Sequence, residues 1–163
     1  MRNLTAIICL TVALLFGCTG VCKSADYQKG VTAYQSGDFA TALREWTPLA
    51  EQGNVGAQYL LGVMYRKGLG VPQDNMTAVK WYTLAAEQGD ARAQSALSAM
   101  YAFGQGVLKD NVYAHMWANI AATNGNKNAG KFRNSVEKEM TSTDISTAQK
   151  LARECIRKKY KGC

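Results

Sequence analysis

The stretch Ala57-Gln58-Tyr59-Leu60-Leu61-Gly62-Val63-Met64-Tyr65 is followed by Gly68-Leu69-Gly70-Val71-Pro72-Gln73-Asp74, and elements of both return 36 residues downstream. Ala57-Gln58 becomes Ala93-Gln94, Tyr65 becomes Tyr101, Gly68 and Gly70 become Gly104 and Gly106, Val71 becomes Val107, and Asp74 becomes Asp110. The same offset aligns Ala42, Ala78 and Ala114, then Ala50, Ala86 and Ala122, then Gly53, Gly89 and Gly125. A fixed period of about 20 to 50 residues marks a solenoid, whose short units bury their apolar faces only against neighbours. The first unit is shortened: Tyr34 precedes Tyr65 by 31 residues, because Ser36-Gly37-Asp38 replaces the glycine-rich linker.

Within the best-preserved unit, Ala57, Leu61 and Tyr65 recur every fourth residue with Leu60 and Met64 beside them, which predicts a helix over about residues 55–66. Gly68 and Gly70 stop it, Pro72 forbids immediate continuation, and Asp74 or Asn75 can cap a second helix reaching about residue 87. The apolar face of that second helix reads as Met76, Val79, Trp81, Leu84 and Ala85 with the small Ala78, and Gly89 closes it. Small residues at Ala57, Gly62, Ala78 and Ala86 let the two helices approach closely, leaving Tyr65 and Trp81 to fill the space between hairpins. The next unit repeats the plan over 91–103 and 111–123, with Trp117 for Trp81, Ser98 for Gly62 and Leu108 for Pro72. A last helical pair is expected over about 126–139 and 143–160, with Thr141 and Asp144 spaced as a variant capping box. The expected fold is all-α, a row of about four antiparallel helical hairpins with no competing strand signal.

At 163 residues the chain has the length of a single domain. Its first 24 residues read differently: Arg2 precedes an apolar run over 4–16 that is too short to span a bilayer and has the pattern of a signal peptide. Two cuts remain open. Leu15-Phe16-Gly17-Cys18 resembles a bacterial lipoprotein box, apart from the bulky Phe16, and would make Cys18 a lipidated first residue. A cut after Ser24 would release a soluble chain beginning at Ala25. The expected address is therefore outside a bacterial cytoplasm, either periplasmic or secreted, or as an outer-membrane lipoprotein. The soluble cut leaves Cys155 and Cys163, which suggests a disulfide in an oxidising compartment, with free or intermolecular thiols as the alternative. Cys155 is expected two turns before the end of the last helix, with Gly162 able to fold the tail back.

Without residues 1–24 the chain carries 17 Lys or Arg against 12 Asp or Glu, and the excess is uneven. Residues 126–163 hold ten basic against four acidic side chains, whereas residues 25–125 hold seven against eight. The terminal cluster Lys150, Arg153, Arg157, Lys158, Lys159 and Lys161 suits an anionic lipid, a lipopolysaccharide or an acidic partner, against the plainer reading of a solvated cap helix. An exported address argues against nucleic acid.

Catalytic signals are weak. The single histidine, His115, aligns with Val79 and Leu43 on a second helix and reads as a packing residue at a hairpin edge. Ser135-Val136-Glu137-Lys138 matches the Ser-x-x-Lys pattern of penicillin-recognising enzymes, but neither a Ser-Asp-Asn nor a Lys-Thr-Gly partner occurs, and Thr77 to Lys80 nearly repeats it. The carboxylates Glu45, Glu51, Asp74, Glu87 and Asp110 mostly fall at caps or helix ends, where the helix dipole favours them. No metal cluster can be assembled, no cofactor is indicated, and no catalytic residue is assigned.

The run from Ala57 to Tyr65, the linker from Gly68 to Asp74, Ala78-Val79-Lys80-Trp81-Tyr82 and Ala85-Ala86-Glu87-Gln88-Gly89 together resemble the Sel-one-like repeat (SLR), a relative of the tetratricopeptide repeat. The resemblance covers most of residues 26–130. It implies a right-handed α/α superhelix in which the first helix of each pair lines a concave side used as an adaptor surface for other proteins. The implied units are 26–54, 55–90, 91–126 and a capping segment 127–163, following a signal segment 1–24. Cys155 and Cys163, eight apart, also resemble the bridge of cysteine-rich secreted members, although only one such pair is present.

On that geometry the binding candidates are Tyr59, Arg66 and Lys67 and, one repeat on, Ser95 and Phe103, since exposed aromatics and arginine contribute most to binding energy. The expected function is a non-catalytic exported scaffold, acting as a monomer and holding a protein or peptide on its concave face. One alternative is a cell-wall hydrolase or β-lactam-reactive protein using Ser135 and Lys138, and another is a lipid-anchored envelope tether with a basic cap.

Overall fold

A computed structural model describes residues 25–163; the expected signal segment, with Cys18, lies outside the described residues. Every regular element among them is helical: α1 (Tyr27–Gln35), α2 (Phe39–Glu51), α3 (Val55–Lys67), α4 (Asn75–Ala86), α5 (Ala91–Phe103), α6 (Asn111–Thr123), α7 (Lys127–Glu137) and α8 (Ser142–Arg157). The boundaries follow from side-chain caps. Asp26, Asp38, Asn54, Asp74, Asp90, Asp110, Asn126 and Thr141 each accept hydrogen bonds from first-turn N–H groups, satisfying donors that the helix itself leaves open. Thr141 and Asp144 form a reciprocal capping box. At the other end of α3 and α5, Gly68 and Gly104 take the left-handed conformation, with φ of 69° and 65°, where a Cβ would be strained.

Helices α1 and α2, α3 and α4, and α5 and α6 pack as hairpins, and each second helix also packs on the next first helix. The result is a helical repeat solenoid. The repeated Ala-Gln pair contributes a polar tie at each junction. Gln58 Nε2 donates to the Ala50 carbonyl at 3.0 Å, and its 36-residue equivalent Gln94 donates to Ala86 at 3.1 Å. Each glutamine oxygen then accepts from the loop one unit on, Gln58 from Gln88 Nε2 and Gln94 from Asn124 Nδ2. Buried amides are retained in a solenoid core only when paired in this way.

The packing differs from the sequence expectation on α4. Met76 and Leu84 are exposed, and the buried face consists of Ala78, Tyr82, Ala85 and Ala86. Tyr82, 1% exposed, fills the hairpin core beside Gly62, while Trp81 is half-buried against the preceding unit. The face shifts by one residue because a helix pressed between two neighbours has two buried stripes, and a single-face reading selects the wrong one. Trp46 holds the Tyr82 position in the first unit and is fully buried, its indole N–H donating to the Tyr27 carbonyl at 3.1 Å. In the third unit, Ser98 keeps the small residue of Gly62 and adds a hydrogen bond from its hydroxyl to the Ala114 carbonyl at 2.6 Å.

Glu45 is another departure. It is 5% exposed in the middle of α2, not at a cap, and accepts from Lys29 Nζ at 2.6 Å and from the Asp26 N–H at 3.2 Å. Those bonds, the lysine first, hold its carboxyl down to about 2. Without Lys29 the carboxylate's only ion pair would be the longer contact to Arg44 Nη2 at 3.5 Å.

The last two helices do not form a fourth hairpin. Both pack on α6, and from α8 Ala152 and Cys155 join the core of α4 to α6. Helix α8 ends at Arg157, so Cys155 sits within its final turn and not two turns back. The chain then reverses at Lys159 and Tyr160, with φ of 52° and 67°, ahead of Gly162.

Candidate binding groove and terminal cap

Helices α3 and α5 are successive first helices, and side chains from both meet in an open groove of about 280 Å³. Tyr59 and Arg66 come from α3, separated by seven residues and so on one helix face; Ser95, Ala96, Ala99 and Met100 come from α5. Arg92, Gln105 and Asn126 complete the lining. The lining thus combines small or apolar side chains with amides and two guanidinium groups.

The two arginines differ. Arg92 is tied to Asp90 by Nη2 at 2.6 Å and lies 4.5 Å from the centre of the Tyr59 ring, so its charge is neutralised and its plane supported. Tyr59 in turn rests 5.9 Å from the Tyr82 ring, which anchors the groove wall to the core. Arg66 has no carboxylate within ion-pair distance among the described residues, and its Nε is buried without a hydrogen-bond partner. It lies beside Tyr82, whose hydroxyl is raised above its ordinary value by burial, an effect that Arg66 opposes.

Of the five binding candidates read from the sequence, Tyr59, Arg66 and Ser95 are brought together here. Lys67 is exposed at the end of α3 outside the lining. Phe103 is 66% exposed and belongs to a separate depression of about 100 Å³ with Phe132, Lys109 and Ser135. Its ring stands 6.2 Å from Phe132. Arg92, Met100, Gln105 and Asn126 are groove residues that the sequence reading passed over. Arg92 was the one with a signal, since it replaces the glycine Gly56 one period earlier.

Ser135 is exposed on α7 and Lys138 caps that helix, its backbone N–H donating to the Ser135 carbonyl at 3.3 Å; no hydrogen bond joins their side chains among the described residues. His115 is fully buried between α6 and α7, with Nε2 2.7 Å from Glu137 Oε1 and Nδ1 buried without a partner. No group of three His, Cys, Asp or Glu side chains is placed to hold a metal among the described residues.

At the C-terminal end, Lys150, Arg153, Arg157, Lys158, Lys159 and Lys161 are all exposed. Helix α8 packs on the second helix α6, and none of the six basic residues lines the groove of α3 and α5. Cys155 and Cys163 are joined by a disulfide with Cα atoms 5.6 Å apart. The closed tail is docked by Tyr160 OH donating to Asn124 Oδ1 at 3.0 Å and by the Gly162 N–H donating to Glu87 Oε1 at 3.0 Å. No described helix is long and apolar enough to cross a membrane.

The model of the Sel1 repeat family matches residues 55–90 and 91–126. Among solved structures, a protective antigen present in uropathogenic Escherichia coli strains and displaying an SLR fold is similar, at 30% identity and a TM-score of 0.75 over 80% of this chain. A Sel1 repeat protein from Oxalobacter formigenes is similar at 33% identity, with a TM-score of 0.66 over 70% of this chain. The chain spans 30% of the first and 47% of the second. No curated protein matches the sequence significantly.

Proposed function

We propose that this chain, which belongs to the Sel1-like repeat family, is an exported scaffold that holds a linear segment of another protein on the concave side lined by its first helices. Sel1 repeat proteins generally act as protein-interaction scaffolds. The observation that carries the reading for this chain is the groove itself: Tyr59 and Arg66 from one repeat and Ser95, Ala96 and Ala99 from the next line one open depression. A site built on two rigid helices is pre-organised, so little ordering entropy opposes binding. On this reading the chain acts by binding, as Sel1 repeat proteins generally do.

Export rests on the signal-like residues 1–24 and agrees with the Cys155–Cys163 bridge, which suits an oxidising compartment. The test of the scaffold is site-specific cross-linking in cells. A photoreactive side chain at Ser95 should trap a discrete partner band, whereas one at Arg153 on α8 should not. Equal trapping at both positions, or none at Ser95, removes the groove from consideration. Mass spectrometry of the mature N-terminus separates a soluble chain starting at Ala25 from one lipidated at Cys18.

A further inference from the structure

The sequence places all the excess positive charge on the C-terminal segment, yet the fold segregates charge a second time. Helices α1, α3 and α5, with sequences YQKGVTAYQ, VGAQYLLGVMYRK and ARAQSALSAMYAF, contain Lys29, Arg66, Lys67 and Arg92 and no Asp or Glu. The compensating carboxylates lie on caps, linkers and second helices. Two of the four cations are satisfied internally, Lys29 by Glu45 and Arg92 by Asp90. Arg66 and Lys67 have no ion-pair partner among the described residues, and of these two only Arg66 lines the groove.

Arg66 is poised for an external carboxylate. Its guanidinium is partly buried and forms no ion pair among the described residues, and desolvation by the groove walls strengthens any charge-assisted bond made from its accessible part. Around it, Ala96, Ala99 and Met100 offer an apolar lining for a small side chain, while Gln105 and Asn126 present amides. The groove crosses from α3 to α5 and is open, which fits an extended chain running through it.

We infer that the occupant is an acidic linear segment, one of whose Asp or Glu side chains pairs with Arg66. The inference rests on the scaffold reading above and adds the chemistry of the partner. Electrostatic complementarity of this kind sets specificity and encounter rate.

The probe is a displayed library of random twelve-residue peptides with blocked termini, selected on the mature protein from Ala25 to Cys163. Selected peptides should be enriched in Asp and Glu, and their affinity should fall as salt is raised. Arg66→Gln should weaken them about tenfold or more, Arg66→Lys should weaken them less, and both variants should melt like the parent. Peptides selected without acidic enrichment, or bound equally by Arg66→Gln, overturn the acidic assignment while leaving a peptide-binding groove. Failure of the parent to select any peptide, or selection unaffected by Ser95→Trp, overturns the groove reading and this inference with it.

Discussion

Tyr82 occupies the space that a side chain at position 62 would need: a Cβ added to Gly62 would stand 2.6 Å from the ring. The pair therefore fixes how closely α3 and α4 approach. Gly62→Ala gains about 1 kcal/mol of helix propensity but forces the ring out of its slot, which costs about 1 to 3 kcal/mol, so a net loss is expected. Tyr82→Ala should cost about 3 to 5 kcal/mol, and more than Trp81→Ala, because only Tyr82 is fully buried. Urea denaturation of the three variants checks the order.

Gln94 joins the Ala86 carbonyl to Asn124, so its loss strands a buried acceptor. Gln94→Ala is expected to cost about 1 to 3 kcal/mol beyond simple truncation, and Gln94→Leu should not restore it, because volume is not what is missing. The same melts apply. Full rescue by leucine would show the amide to be dispensable.

Glu45 is held at about 2 against an ordinary 4.5, so its stabilisation is complete above the unfolded value and is lost as pH falls toward 2. The stability gap between the parent and Glu45→Gln should be constant from neutral pH to about 5 and close between about 4.5 and 2. Denaturation midpoints measured across that range report it. A gap independent of pH would place the Lys29 contact outside the energetics.

The bridge closes a short loop, with a separation of eight residues, and its removal should cost about 2 to 3 kcal/mol. Because the bridged tail docks on Asn124 and Glu87, Cys163→Ser should raise hydrogen exchange around Tyr160 and the end of α8 and leave α1 and α2 unchanged. Intact-mass measurement before and after reduction establishes the bond first, by a gain of about 2 Da for one disulfide.

Fluorescent penicillin should not label the protein covalently, since the exposed Ser135 hydroxyl makes no hydrogen bond to the Lys138 ammonium among the described residues. Labelling that disappears in Ser135→Ala would revive the acyl-transfer alternative.

Period, helix type, caps and hairpin order were legible from residues such as Asp74, Gly68 and the returning Ala-Gln pair, because each acts within one or two turns of its own position. The repeat even marked Gln58 and Gln94, though not what they bond. What the chain alone could not specify was which of two buried stripes on α4 takes Tyr82, where α8 lands, and which candidates share a groove. Those depend on neighbours 30 or more residues away, such as Gln88 for Gln58 and Glu87 for Gly162. Tyr59, Arg66 and Ser95 converge, and Phe103 does not, because side-chain direction on adjacent helices is set by their packing against each other and not by the spacing within either one.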